Sequence, residues 1–248
     1  YLAWRREWRR WSPRDFAQAA AVGCIVAAHR VTFFAAIKVS SVGLALTMLA
    51  TAPLFIGFTE PVVFRRKLVW RELLVASAVF VGIATVFQAE RDQVDGMVLG
   101  LSSAALAALF STFNGVLVKR LEPVNLSAVE LLSASAAMLV WLAWRGQAGP
   151  GLFVMSGEDW VWVAVLAVVA TSFAFVVSIQ VLKNLTPFES AMAINLEPLY
   201  AIVLAWWIFG ERFSPGFYLG AAVVLGAVFL DSWWRARTQS TANSADAT

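Results

Sequence analysis

Apolar runs of about twenty residues recur along the chain, separated by short polar or Pro/Gly-containing turns. Eight stand out, near 16–37, 42–59, 72–89, 97–118, 126–144, 159–181, 188–209 and 215–234. A helix that crosses the apolar slab of a bilayer needs roughly 20 mainly apolar residues. None of the runs alternates like a barrel strand, so they read as helices. A single run could be a buried helix of a soluble protein; eight in succession could not. The pattern predicts an all-α integral membrane protein with about eight transmembrane helices here. Ser12-Pro13-Arg14-Asp15 reads as the start of the first helix, with Ser12 as cap and Pro13 in the first turn.

The runs also repeat. At a fixed offset of 145 residues, Ala36-Ile37-Lys38 meets Val181-Leu182-Lys183 and Pro53-Leu54 meets Pro198-Leu199. The same offset sets Phe64-Arg65-Arg66-Lys67 against Phe209-Gly210-Glu211-Arg212. An internal repeat in a membrane chain points to a transporter, because many transporters bind substrate where two repeats meet. The second copy has two spans before its matched region and the first has none, so two further spans are expected ahead of Tyr1. Matched segments lie five spans apart, an odd number, which inverts one copy relative to the other. The expected domains are an incomplete first repeat over 1–89, a second repeat over 97–234 and a disordered cytoplasmic tail over 235–248.

Composition agrees and adds orientation. Hydrophobic residues make up 60% of the 248 and charged residues only 14%, against ~25% charged in a soluble domain. With the N-terminus inside, fourteen of the nineteen basic residues fall on cytoplasmic segments, among them Arg5, Arg6, Arg9, Arg10, Arg65, Arg66, Lys119, Arg120 and Arg235. Four (Lys38, Arg91, Arg145 and Arg212) fall outside, and Arg30 lies within a span. This asymmetry places both termini in the cytoplasm. The net charge of +3 is therefore a topology signal and implies no nucleic-acid partner. Tryptophans such as Trp11, Trp70, Trp144, Trp160 and Trp233 cluster at span ends, where headgroups favour them. Cys24 stands alone in an apolar span, so neither a disulfide framework nor a metal site is expected.

The stretch Asn195-Leu196-Glu197-Pro198-Leu199-Tyr200-Ala201, followed by Phe209-Gly210-Glu211-Arg212-Phe213 and Gly220-Ala221-Ala222, resembles the closing helices of the EamA family of drug/metabolite transporters. Residues 28–41 resemble the family's third span. The resemblance covers about residues 16–234. It implies ten spans as two inverted five-helix repeats, both termini cytoplasmic, and export or exchange of small metabolites such as amino acids. The Gly-Glu-Arg element survives only in the second copy.

Polar residues inside spans are costly in lipid and are the first functional candidates. His29 and Arg30 lie mid-span, about 100° apart around a helix. His29 reads either as a solute or proton contact or as an interhelical hydrogen bond. Arg30 reads either as a clamp for a substrate carboxylate or as the partner of a buried acid such as Glu197. Glu197 sits beside a proline kink at Pro198, with Asn195 two residues before it. Pro53 is the equivalent kink, where Ala52 replaces the acid. Together, His29, Arg30, Asn195 and Glu197 are the substrate-binding candidates. Glu130, one turn into its span, is expected to snorkel, and Asn114 and Gln180 to bond across helices. Gly210 is expected to permit an external turn that Glu211 and Arg212 tie down. Lys38 and Lys183 are expected to sit favourably at helix C-termini, and Gly220, Ala221, Ala222 and Gly226 to allow close helix contact.

No nucleophile triad, phosphate-cradling loop or metal-ligand cluster is visible. The expected function is secondary transport, without cofactor, of a small amino-acid-like or amphipathic solute across the inner (plasma) membrane. Its expected partners are that solute and the bilayer, with a homodimer as an open alternative. Two rival readings are a nonfunctional truncated transporter and a membrane enzyme acting on lipid.

Overall fold

The computed structural model describes residues 11–65, 70–187, 189–190, 200, 203–204, 206–208 and 210–245. The described residues form α1 (Pro13–Val39), α2 (Val42–Leu49), α3 (Ala52–Phe64), α4 (Trp70–Ala89), α5 (Val94–Leu117), α6 (Pro123–Trp144), α7 (Gly157–Val165), α8 (Ala174–Val181) and α9 (Pro215–Ala245). Among the described residues, five helical stretches are long and apolar enough to cross a membrane: Pro13–Val39, Val42–Phe64, Arg91–Leu117, Pro123–Trp144 and Gly157–Val181. Shorter apolar helices cover Ser77–Ala89 and Pro215–Ala227. The expected span over 188–209 lies mostly outside the described residues. The protein is an all-α, multi-pass membrane protein.

Local chemistry sets the helix ends. Ser12 caps α1 as its sequence suggests: its hydroxyl accepts the Asp15 N–H (3.2 Å), and the Asp15 carboxylate accepts the Ser12 N–H (2.9 Å). This reciprocal pairing satisfies two donors that a helix start leaves open. Ser156 and Asp159 repeat it at α7. Lys38 stands in the last turn of α1. Helix α9 continues to Ala245, so residues 235–245, expected to lack structure, are helical. Those residues contain neither Pro nor Gly, and extending a formed helix needs no new nucleus.

Two spans are not regular α-helix. Val42–Phe64 breaks between α2 and α3 at Ala50 and Thr51, and Pro53 falls in the first turn of α3. Pro53 thus starts a new helix instead of kinking a continuous one, since proline is tolerated where the N–H has no intrahelical partner. Gly157–Val181 passes through a π-helical stretch, Leu166–Phe173, between α7 and α8.

The helices pack into two compact units, residues 11–28 with 110–186 and residues 29–109 with the described part of 187–245. Each unit draws on both the 1–89 and the 97–234 segments. In the first unit, Val22, Val26, Leu117, Leu126, Phe175 and Ile179 form the core. Its helix ends are tied by Arg120, which bonds the carboxylate of Asp15. In the second unit, Leu44, Met48, Val86, Met97, Phe217 and Ala221 make one cluster and Ala50, Val79 and Val224 another.

Helices α4 and α9 meet through glycines. A Cβ on Gly220 would lie 2.7 Å from the Gly82 carbonyl oxygen, and one on Gly82 would lie 2.9 Å from the Gly220 carbonyl oxygen. Gly220 and Ala221 therefore face a helix, as expected of small residues. Ala222 is exposed and Gly226 has open space beside it, because only one stripe of a helix can face its neighbour.

Candidate functional site

Two clusters of polar residues lie inside the helical units. In the second unit, His29 of α1 meets Ser103 of α5. The His29 Nδ1 lies 3.0 Å from the Ser103 carbonyl oxygen and 2.9 Å from its hydroxyl. A carbonyl can only accept, so this geometry calls for the tautomer with its proton on Nδ1. The Ser103 hydroxyl and Thr32 Oγ1 both reach the His29 carbonyl oxygen, at 3.3 and 2.9 Å. Phe33 stacks on the imidazole with centroids 6.2 Å apart. The interhelical hydrogen bond that the sequence offered as one reading of His29 is present. His29→Ala should destabilise the protein by roughly 1–3 kcal/mol, because Ser103 is buried and loses a partner. Thermal unfolding in detergent would read this; a midpoint equal to wild type would show that the bond adds nothing. Arg30, the next residue, is half-buried.

In the first unit, Glu130 of α6 is fully buried, which overturns the expectation that it snorkels. The helix begins at Pro123, so Glu130 stands two turns, about 10 Å, from its end. A glutamate side chain is too short to bring its carboxylate to the headgroups from there. The cover above it is also tight. A Cβ on Gly23 would lie 2.5 Å from the Glu130 carbonyl oxygen, so only glycine lets α1 press backbone to backbone on α6. The Asn114 side-chain amide of α5 donates to Glu130 Oε2 at 3.1 Å. Asn114 thus bonds across helices as expected, whereas Gln180 is exposed. Glu130 Oε1, Asn114 Oδ1 and Asn125 Oδ1 are buried without hydrogen-bond partners.

Sequence reasoning missed Glu60. It lies inside the continuous helix α3, 6% exposed, directly before Pro61. The first copy therefore does carry a glutamate-proline pair, eight residues beyond Ala52. The signal was available, since Glu60-Pro61 is the same dipeptide as Glu197-Pro198. Asn195, Glu197 and Pro198 themselves lie outside the described residues. Among the described residues, no group of three or more His, Cys, Asp or Glu side chains is placed to hold a metal.

The Gly-Glu-Arg turn has a different job from the one expected. Gly210 does take a left-handed φ of 66°, which glycine adopts without steric cost. Glu211, however, does not tie down its own loop. Its two carboxylate oxygens accept the backbone N–H groups of Val42 and Gly43, both at 3.1 Å, at the start of α2. Glu90 does the equivalent for α9, where its Oε1 accepts the Ser214 N–H at 3.0 Å and its hydroxyl at 2.8 Å. Arg65 is left-handed too, with φ 54°. It stands 145 residues before Gly210, at the matching position of the repeat. A residue with a Cβ adopts that conformation only at a cost of roughly 1–2 kcal/mol.

The turn, the caps and the interrupted span describe a membrane protein whose second half follows a family pattern. The model of the EamA-like transporter family matches residues 95–233. The chain belongs to the EamA-like transporter family. Curated relatives agree. A Bacillus subtilis protein named "uncharacterized transporter YwfM" is 26% identical over 244 residues, covering 94% of this chain and 77% of its own length. An Archaeoglobus fulgidus "uncharacterized transporter" is 23% identical over 204 residues, covering 82% of this chain and 71% of its own. One crystal structure superposes with a TM-score of 0.61 at 15% identity, over 88% of this chain and 75% of the other, which shows a shared fold. This EamA protein is thus a membrane transporter by family, and these relatives carry transporter names.

Proposed function

We propose that this EamA protein is a secondary exporter of small amino-acid-like or amphipathic metabolites, working by alternating access in the inner (plasma) membrane. The observation that carries the reading is the interrupted span Val42–Phe64. It breaks mid-span at Ala50 and Thr51, and Thr47, Thr51 and Glu60 are all buried along it. Helix breaks at membrane depth persist where they line protein or a solute path, and discontinuous helices of this kind build transporter sites near the midplane. The shared left-handed backbone of Arg65 and Gly210 supports two repeats, 1–89 and 97–234, of a ten-helix inverted fold. His29, Arg30, Asn195 and Glu197, now with Glu60, are the residues assigned to the solute path.

Reconstituted protein should move at least one solute from a panel of labelled amino acids and amphipathic drugs faster than empty liposomes. A panel with no accelerated solute would sink the proposal. Topology has its own test. In a Cys24→Ser background, an impermeant maleimide added to whole cells should label a cysteine placed at Asp92. A cysteine at Lys119 should label only after permeabilisation. Both positions are exposed, and labelling of Lys119 from outside would reverse the orientation that puts both termini in the cytoplasm.

A further inference from the structure

The Glu130–Asn114 pair leaves two buried oxygens without a donor. Asn114 gives its amide to Glu130 Oε2, which leaves Glu130 Oε1 and Asn114 Oδ1, one acceptor on each partner, buried and unpaired. Buried acceptors without donors are rare in folded proteins and mark either a missing ligand or a functional state. The missing component must be a donor, because every orphan here is an oxygen that can only accept while Glu130 is ionised. Beside the pair, α1 lies close on the α6 backbone, where a Cβ on Gly23 would meet the Glu130 carbonyl oxygen. A single hydrogen ion meets that demand for a donor. Placed on Glu130 Oε1, it turns the carboxylate into a donor, and an acid and an amide can then satisfy each other in both directions.

We propose that Glu130 is the proton-binding site of this transporter, with Asn114 as the positioning residue that holds the carboxyl group. The step is a simple exchange: an O–H bond forms on Glu130 Oε1 with a proton from one aqueous side, and the same bond breaks to release it on the other. Among the described residues of the first unit, Asp15 is the other buried charged residue, and it is engaged by Ser12 and Arg120 at the helix end. The core of that unit takes Ala19, Val22 and Val26 from α1 and Phe175 and Ile179 from α8. Cys24, Lys119, Arg120 and Lys183 are exposed. Ionisable groups placed in this way within membrane spans serve proton relays.

The proposal rests on the transport reading, and the test separates the two. Infrared difference spectra of the full chain in lipid, recorded across pH in H2O and D2O, should show a protonated-carboxyl C=O band that shifts on deuteration. The band should be absent in Glu130→Gln and displaced in Asn114→Ala, and this measurement needs no solute. Identical spectra for wild type and Glu130→Gln at every pH would overturn the proposal. In pyranine-loaded proteoliposomes, a mixture of the protein amino acids should drive proton movement with wild type and none with Glu130→Gln. Amino-acid flux in wild type without a pyranine response, or flux driven by an imposed Na+ gradient instead, would overturn proton coupling while leaving transport standing.

Discussion

Gly220→Val should force α4 away from α9 and lower the unfolding midpoint clearly. The new Cβ would lie 2.6 Å from Val86 Cγ2 and 2.7 Å from the Gly82 carbonyl oxygen. The valine side chain can rotate aside, but the carbonyl belongs to helix backbone and cannot. Overpacking of a tight contact costs typically about 1–3 kcal/mol, and here it falls on the pair that joins the two core clusters of the second unit. Gly82→Val should cost a similar amount through the Gly220 carbonyl oxygen. The double variant should cost less than the sum, because helices already parted have room for the second side chain. Gly226→Val, on the same helix but with nothing within 4 Å of its Cβ, should stay within about 0.5 kcal/mol of wild type. Equal losses at Gly220 and Gly226 would show that helix propensity, not the contact, sets the effect.

Glu211→Ala should be the most damaging change to the turn that ends in Arg212. It removes the acceptor of two N–H groups at once, those of Val42 and Gly43. Hydrogen bonds to a charged group are worth roughly 1.5–3 kcal/mol each, and a donor left unpaired in a partly buried place adds to the loss. A negative charge at a helix start is favourable besides, by about 0.3–1 kcal/mol. The contact spans most of the chain, so its loss should loosen α2, and hydrogen exchange at Val42, Gly43 and Leu44 should rise first. Glu211→Gln should recover part of the loss, since one amide oxygen remains. Arg212→Ala should do little, as Arg212 is exposed. A larger effect from Arg212 than from Glu211 would restore the picture of a loop tied down by its own ion pair.

The Glu211 result shows where sequence reading stops. Gly210 was legible as a turn glycine, because a left-handed residue is a local property of the chain. Glu211 was legible only as a charged residue beside it, because its partners sit 168 and 169 residues away. Glu130 failed for a related reason. Its distance along the helix could be counted, but burial depended on Gly23, and a glycine in an apolar run does not announce what presses against it. His29 was found because a histidine in an apolar span is rare, yet its partner Ser103 is an ordinary serine. Glu60 is a different case: it fell just past the estimated end of its span, and the actual helix continues to Phe64.

The chain by itself determined what local chemistry and counting can determine. Apolar length selected a membrane protein, backbone satisfaction in lipid selected helices, and Ser12 marked a helix start that the structure keeps. The offset of 145 residues aligns Arg65 with Gly210, and both have a left-handed backbone. Tertiary structure decided which polar groups meet. It paired Glu130 with Asn114, His29 with Ser103, and Glu211 with the start of α2, and it left three buried oxygens without donors. In a bilayer most surface is apolar on both sides of a helix, so hydrophobic pattern cannot tell the lipid face from the packed face. Only contact between helices, set by glycine and small side chains, breaks that tie.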